Sequence, residues 1–143
     1  MDVGSGNGIP AIIWAICEPE LSIVLVEKKA KKIAFLNFVI GVLKINNRVS
    51  TINDDVRNIK SKKFDLITSR GFSNCEKFLE YTELLAKVNT SWLIMTTNTI
   101  SKTLSKKRLK KLNVKITHNE SVVINKKTTN KQILSFKKVT KEI

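Results

Sequence analysis

A glycine-rich loop near the start of the sequence has the clearest capacity for ligand chemistry. Asp2-Val3-Gly4-Ser5-Gly6-Asn7-Gly8 has the form D-x-G-x-G-x-G. Glycines at this spacing let the backbone turn sharply from a strand into a helix, and they let a ligand approach without meeting a Cβ atom. The amides at the start of the following helix then face that ligand.

The spacing of the glycines distinguishes among nucleotide ligands. A dinucleotide-binding loop has the form G-x-G-x-x-G, and its third glycine would fall at Ile9 in this sequence. A phosphate-binding P-loop is also excluded, because no G-K-[ST] follows the glycines. The loop therefore favours S-adenosylmethionine over a nicotinamide or flavin dinucleotide, and we expect Gly4, Gly6 and Gly8 to form its binding loop.

Acidic residues follow the next two predicted strands. Glu27 ends the second strand, where a carboxylate can accept hydrogen bonds from both ribose hydroxyls of an adenosine. The alternative is an exposed acid that begins a helix, where the helix dipole favours it. Asn53-Asp54-Asp55-Val56-Arg57 follows the third strand, where the edge of the adenine ring would lie. Asp54, Asp55 or the backbone near Val56 and Arg57 could bind the exocyclic amine, and a solvated acidic loop is the alternative.

Arg70 is a candidate for contact with S-adenosylmethionine or with the molecule that accepts its methyl group. It lies in Thr68-Ser69-Arg70-Gly71-Phe72, after the fourth predicted strand, at the edge that holds the methyl acceptor in this architecture. A guanidinium there could bind the methionine carboxylate or an RNA phosphate. A surface arginine without a ligand is the alternative.

The net charge favours a polyanionic partner. The 143 residues include 26 Lys and Arg against 12 Asp and Glu, a formal net charge of +14 with a pI near 10.0. The electrostatic field of such a charge attracts polyanions, and nucleic acid is the first candidate. Nearly all the cations are lysines, however, and Lys, Asn and Ile have A/T-rich codons, so genome composition is a second explanation of the charge.

The elements that position these residues alternate between strands and helices, which favours an α/β sandwich with a mainly parallel sheet. A C-terminal antiparallel hairpin is expected to complete the sheet, and residues 1–143 are expected to form a single domain. Helical spacing directs two sets of apolar residues towards the core, namely Ile33, Leu36, Val39, Ile40 and Leu43 in one helix and Phe78, Leu79, Leu84 and Leu85 in another. The predicted helices are Pro10–Cys17, Lys28–Leu43, Cys75–Val88 and Ser101–Leu112, and the predicted strands after the first are Ser22–Val26, Val49–Ile52, Phe64–Ser69, Ser91–Thr97, Val114–Ser121 and Gln132–Val139.

Other features of the sequence bear on partners and location. No apolar run reaches the 18 residues of a membrane span, and no signal peptide is visible, so we expect a cytoplasmic protein without a membrane partner. Cys17 and Cys75 are too few for a disulfide framework or a metal cluster, and each is expected to be buried. His118, the single histidine, is expected on the surface of the hairpin rather than in a catalytic role.

At four points the sequence resembles the bacterial 16S rRNA guanine-N7 methyltransferases, also called glucose-inhibited division protein B or the RsmG family. The resemblance implies cofactor contacts at Gly4, Ile9, Val56, Arg57 and Arg70. It also implies methylation of a guanosine in the 530 loop of 16S rRNA, with the small ribosomal subunit as partner. The matching residues are Asp2-Val3-Gly4-Ser5-Gly6-Asn7-Gly8-Ile9-Pro10, Glu27 with Lys32, Phe35 and Leu36, Phe64-Asp65, and Ser69-Arg70-Gly71-Phe72.

Three departures from the family pattern favour an alternative, a truncated or catalytically weak RNA-binding protein with the same fold. The family has an additional N-terminal helical region, and here only Met1-Asp2-Val3 precede the first glycine, so we expect an N-terminally truncated chain. The lysine that ends the family's fifth strand is absent near Thr96 or Thr97. Arg57-Asn58 replaces an acidic pair. A dinucleotide-dependent oxidoreductase is a further alternative. Ile9 argues against it, because it occupies the place of the third glycine of a dinucleotide-binding loop.

Overall fold

The computed structural model describes residues 1–60, 62–97 and 104–140. The chain divides into two compact units, Met1–Ile59 and Lys60–Ile143. The first part of the predicted helix Ser101–Leu112 lies outside the described residues. The first unit contains strands β1 (Asp2–Val3), β2 (Ile23–Val26) and β3 (Val49–Ile52), helices α1 (Ala11–Cys17) and α2 (Ala30–Val42), and a 3-10 turn at Val56–Asn58.

The three strands of the first unit are parallel. β2 pairs with β1 on one side and with β3 on the other, with Leu25 opposite both Asp2 and Thr51. Three of the four residues of β2 are buried and Val24 is half-buried, which agrees with a strand covered on both faces. The core of the first unit combines apolar residues of α1, α2, β2 and β3 with Ile45 of the connection between α2 and β3, namely Ala11, Ile12, Ala15, Ile23, Leu25, Ile33, Leu36, Ile40, Ile45 and Val49.

Helix α2 confirms the helical spacing of Ile33, Leu36 and Ile40, all of which are buried. The prediction was wrong for Leu43, which is 38% exposed. Leu43 is the C-terminal cap of α2, and Lys44 then takes a left-handed φ of 55°. The chain therefore leaves the helix one residue before the periodic pattern ends.

The second unit combines parallel and antiparallel strands. β4 (Phe64–Arg70) and β5 (Ala86–Thr97) are parallel, β7 (Lys127–Lys138) is antiparallel to β5, and β6 (Val114–Ile124) pairs only with β7 among the described strands of this unit. The C-terminal antiparallel hairpin is thus present. Helices α3 (Cys75–Thr82) and α4 (Lys106–Lys111) and a 3-10 turn at Glu83–Leu85 complete the unit.

Helix α3 is shorter than predicted. The prediction of a helix over Cys75–Val88 was wrong after Thr82, where α3 ends. The buried Trp92 donates an indole hydrogen bond of 2.9 Å to Thr82 Oγ1, and that hydroxyl in turn bonds the Phe78 carbonyl oxygen. The chain then tightens into the 3-10 turn and enters β5 at Ala86. Leu84, predicted to face the core, is 65% exposed as a result.

The hairpin of β6 and β7 is longer than predicted. Asn125 and Lys126 have φ values of 50° and 61°, so a two-residue turn with both central residues left-handed connects the strands. The polar loop expected between Ser121 and Gln132 is therefore strand on both sides of this turn. His118 lies on β6 with its side chain 46% exposed, which confirms its surface position.

The two cysteines differ in environment. Cys75 is buried at the start of α3, and burial raises the pKa of its thiol to about 11. Cys17 is exposed at the end of α1, so the expectation of burial was wrong for this residue. Among the described residues, no helix has the length and apolar character needed to cross a membrane. The described part of the chain also contains no group of three or more potential metal ligands.

Candidate functional site

The glycine loop connects β1 to α1 and is held against the end of β2. The amides of Gly4 and Ser5 both donate to the carbonyl oxygen of Val26, at 2.9 and 3.2 Å. The Ser5 hydroxyl donates to the Asp2 carbonyl oxygen at 3.0 Å. These bonds fix the turn by which the chain leaves the sheet.

The glycines of the loop meet two different requirements. Gly4, Gly6 and Gly8 all have positive φ values, of 70°, 56° and 83°. A Cβ atom on Gly8 would lie 2.6 Å from Ile12 Cγ1 and 3.0 Å from Leu36 Cδ2, so Gly8 permits the loop to pack on both helices. In the part of the chain that the structure describes, a Cβ atom on Gly4 would meet nothing within 4 Å beyond its chain neighbours. Gly4 therefore borders open space, where a ligand could approach the backbone.

Glu27 joins the glycine loop to the start of α2. Its Oε2 accepts from the Gly6 amide at 3.0 Å, and its Oε1 accepts from the Lys29 amide at 3.0 Å. Each carboxylate oxygen has two acceptor positions, so one position on each remains for another donor. The side chain is half-buried. The structure thus brings Glu27 and Gly6, two of the predicted site residues, into direct contact.

Asn53 and Lys28 attach the loop after β3 to the end of β2. The Asn53 side-chain amide donates to the carbonyl oxygens of Glu27 and Lys28, at 3.0 Å each. Lys28 Nζ lies 2.5 Å from Asp55 Oδ2. Sequence reasoning assigned no role to these two residues. The signal available was their position directly after two strands that end at the same edge of a parallel sheet.

Asp55 is bound within its own loop. Its carboxylate accepts from the amide, Nε and Nη2 of Arg57, at 2.9, 3.0 and 2.7 Å, in addition to the contact with Lys28. The Arg57 guanidinium, followed by the ammonium of Lys28, holds the pKa of Asp55 well below its usual range. Because these donors use the acceptor positions of the carboxylate, the contacts favour a structural role for Asp55 over direct contact with adenine.

The Asp55 contacts lead to a test by pH. We expect Asp55→Asn to lower the free energy of unfolding by about 1 kcal/mol at pH 7, because the amide keeps the turn cap but loses partly solvated ion pairs. A depressed pKa means that the charge stabilises the fold above about pH 4 and that this contribution is lost as the pH falls further. Urea unfolding between pH 2 and 7 measures the difference. A difference that stays constant below pH 4 would contradict the assignment, and Glu20→Gln is the control.

Val56 and Ile9 complete the predicted contacts in the first unit. Val56 is buried at the start of the 3-10 turn. Within the described part of the chain no acceptor is found for its backbone N–H, as is usual for the first amide of a helical turn. Ile9 is 46% exposed beside the glycine loop. One backbone donor and one apolar side chain are therefore available to a ligand.

Arg70 lies in the second unit, at the end of β4. It is exposed and stands opposite Met95 of β5 in the parallel register. Gly71 follows with a φ of 81°, and its amide donates to the Met95 carbonyl oxygen at 3.0 Å. Phe72 then packs against Phe78, with ring centroids 5.1 Å apart. This packing anchors the segment that follows Arg70.

The end of β5 lacks the lysine that the family resemblance implies. Thr96 is buried there, and Thr97 stands opposite Lys131 of β7 in the antiparallel register. Side chains of directly opposed residues lie on one face of a sheet, about 5 Å apart at Cβ. Lys131 of β7 therefore places a cation beside Thr97, where β5 itself has no lysine.

Solved structures with the same fold include one named as a methylase and one determined with MeSAdo bound. A ribosomal protein L11 methylase of Lactobacillus delbrueckii has a TM-score of 0.73 at 14% identity, over 97% of this chain and 69% of that chain. TYW2 of Pyrococcus horikoshii, solved with MeSAdo, has a TM-score of 0.72 at 16% identity, over 95% of this chain and 55% of that chain. The chain has the Rossmann-like α/β fold of the class I S-adenosylmethionine-dependent methyltransferases, which confirms the predicted fold class.

The family within this class follows from the sequence comparison. The family model GidB, described as rRNA small subunit methyltransferase G, matches residues 1–134, and the chain belongs to this family. A relative from Aliarcobacter butzleri, named ribosomal RNA small subunit methyltransferase G, is 39% identical over 64% of this chain and 47% of its own length. A relative of the same name from Polynucleobacter asymbioticus is 44% identical over 60% and 40%.

The family resemblance predicted from the motifs is thereby confirmed. The chain spans less than half the length of these two curated relatives within the matched regions.

Proposed function

We propose that this chain is the S-adenosylmethionine-binding part of an enzyme that methylates N7 of a guanosine in the 530 loop of 16S rRNA. The observation that carries the proposal is the contact of Glu27 with the Gly6 amide, 3.0 Å long, within a chain of this family. That contact joins the carboxylate suited to a ribose to the loop suited to the rest of the cofactor. The names of the curated relatives support the rRNA substrate.

The residues of the first unit fit the cofactor. The remaining acceptor position on each oxygen of Glu27 suits the two ribose hydroxyls. The open space at Gly4 suits close approach of a ligand to the backbone. The Val56 amide would donate to the adenine ring, and Ile9 would pack against its face. Arg70 would bind the methionine carboxylate or an RNA phosphate.

The proposed reaction needs no general base. When bound, the cofactor supplies an electrophilic methyl group on a sulfonium. Guanine N7 carries a lone pair and no proton, so it forms the new bond as the sulfur takes the electron pair of the old one. The task of the protein is to hold donor and acceptor in line, and such orientation is worth about 7–11 kcal/mol in favourable cases. We therefore assign no residue as a catalytic acid or base.

The proposal places the protein with ribosomal RNA. Its partner would be the small ribosomal subunit or its 16S rRNA, and its location the cytoplasm, where that RNA is made in bacteria. The net charge of +14 supports a polyanionic partner.

Calorimetric titration of the 143-residue chain with S-adenosylmethionine tests the proposal. We expect saturable binding by the natural chain and none by Gly4→Asp. Aspartate tolerates the left-handed φ of 70°, and its Cβ would meet no atom of the described residues within 4 Å apart from its chain neighbours, so the variant should fold while its carboxylate fills the ligand space. Absence of binding by a chain that circular dichroism shows to be folded would overturn the proposal. Mass spectrometry of 16S rRNA incubated with the chain and cofactor then reads out the methylated guanosine.

A second candidate function is RNA binding without methyl transfer. The departure at the end of β5 favours it, because Thr96 and Thr97 occupy the place of the lysine that the family pattern implies. This candidate predicts salt-sensitive RNA binding and no labelled RNA after incubation with methyl-labelled cofactor. Transfer of label to 16S rRNA would exclude it.

A further inference from the structure

The positive charge of the chain is concentrated in one segment. Residues 104–140 hold eleven basic residues and one acidic residue, a net charge of +10. Residues 1–103 hold fourteen basic and ten acidic residues, a net charge of +4. A mutational drift towards lysine codons would act along the whole gene. The concentration in about a quarter of the chain therefore favours a functional cause.

One face of helix α4 packs against the rest of the unit, and the opposite face is exposed. Leu109 is buried, and Arg108 forms an ion pair with Glu80 of α3. The Ser105 amide before the helix donates to Glu76 Oε1 at 2.6 Å, which is a second attachment to α3. The opposite face is defined here as the lysine face, and it consists of the exposed residues Lys106, Lys107, Lys110 and Lys111.

The positions of the four lysines in the lysine face destabilise helix α4. Lys106 and Lys110 are four residues apart, as are Lys107 and Lys111, and like charges at this spacing destabilise a helix. Lys106 and Lys107 also occupy the first turn, where the helix dipole disfavours cations. In the regions the structure describes, no carboxylate lies within ion-pair distance of these four ammonium groups.

The charge continues from α4 into the hairpin. Leu112 and Asn113 connect α4 to β6, and Lys115 of β6 stands directly opposite Lys137 of β7. Opposed like charges destabilise a sheet unless an anion lies between or beside them. The lysine face is thus followed, four residues after Lys111, by Lys115, which forms a further pair of cations with Lys137 at the base of the hairpin.

We propose that the lysine face is a phosphate-binding surface that docks the enzyme on ribosomal RNA. The proposal rests on the rRNA substrate of the proposed function and adds the surface that holds it. Lysine presents a point charge suited to phosphate and lacks the bidentate fork with which arginine reads guanine, so the contact is independent of base sequence. An anionic membrane is disfavoured, because the leucines Leu109 and Leu112 are buried and α4 exposes no apolar residue for insertion.

The test compares two variants that lose the same charge. In the first, Lys106, Lys107, Lys110 and Lys111 are all changed to Gln. In the control, Lys31, Lys44, Lys60 and Lys77, which are also exposed, are changed to Gln. Gln has nearly the helix propensity of Lys, so the first variant should fold, and circular dichroism checks this. The probes are a fluorescent transcript of the 530-loop region and a transcript of equal length with scrambled sequence.

We expect the α4 variant to bind both transcripts at least about tenfold more weakly at 0.1 M salt, with the slope of log K against log salt reduced by about 3. The control variant should stay within about threefold of the natural chain. An equal loss in both variants, no loss in the α4 variant, or no RNA binding by the natural chain would overturn the proposal. So would an α4-dependent loss of binding to phosphatidylserine vesicles with RNA binding unchanged.

Titration with S-adenosylmethionine separates this proposal from the proposed function. The α4 variant should bind the cofactor as the natural chain does. If the natural chain binds RNA through α4 but does not bind the cofactor, the proposed function alone fails. If it binds the cofactor but its RNA affinity does not depend on α4, the docking surface alone fails.

Discussion

Gly8→Ala is expected to lower the free energy of unfolding by about 3 kcal/mol. Two effects add at this position. The new Cβ would lie 2.6 Å from Ile12 Cγ1 and 3.0 Å from Leu36 Cδ2, and the φ of 83° is unfavourable for alanine. Ile12 and Leu36 are themselves buried, which limits how far they can move. Urea or thermal unfolding measures the loss, which should lower the Tm by about 10 °C.

Gly4→Ala is the matched control for Gly8→Ala. Its φ of 70° is similar, but its Cβ would meet nothing within 4 Å, so we expect a loss of only about 1 kcal/mol. The double variant Gly8→Ala with Ile12→Ala removes the obstructing Cγ1 atom. It should be less destabilised than the sum of the two single variants, by about 1–2 kcal/mol. Equal losses for Gly4→Ala and Gly8→Ala would show that packing on the helices is not the constraint.

Glu27→Gln should weaken the binding of S-adenosylmethionine by about 30-fold or more, which corresponds to about 2 kcal/mol. The amide side chain cannot accept from both ribose hydroxyls, and its NH₂ group would face one of the two backbone donors, Gly6 or Lys29. The amide oxygen still accepts from the other donor, so the loop should keep its fold.

Glu20→Gln is the control for the change at Glu27. It removes the same charge from an exposed turn residue between α1 and β2. We expect its dissociation constant for the cofactor to stay within about twofold of that of the natural chain. An unchanged affinity in Glu27→Gln would refute the ribose role of Glu27, whereas equal losses in both variants would indicate a general effect of charge.

The parts of the fold that follow local patterns were predictable from the sequence. The glycine loop, the buried run of β2 and the helical spacing of α2 are set by residues within a few positions of one another. The end of α3 coincides instead with a contact from Trp92, which lies ten residues after its hydrogen-bond partner Thr82. Residues around Leu84 have a helical pattern, and a contact with a residue on another strand is not visible in that pattern.

The candidate site was predictable in its residue types but not in its pairings. The motif identified Glu27 and the loop containing Asp55 as polar groups at one edge of a sheet. Which of them stays open to a ligand depends on their partners. Arg57 and Lys28 occupy Asp55, whereas among the described residues Glu27 accepts from two backbone amides and from no other donor. The backbone geometry brings these partners together, and the spacing of residues in the sequence does not predict which groups will pair. The turn at Asn125 and Lys126 was missed for a similar reason, since lysine rarely adopts a φ of 61°.

The order of strands in the second unit has a consequence for synthesis on the ribosome. β7 pairs with β5 on one side and β6 on the other, yet it follows both of them along the chain. Until Lys127–Lys138 has left the exit tunnel, β5 has an unpaired edge where β7 will lie, and β6 has no partner strand in the unit. Unpaired edges of this kind invite pairing with other chains. The nascent second unit is therefore most vulnerable to aggregation in the interval before β7 emerges, and a ribosome stalled before Lys127 would prolong that interval.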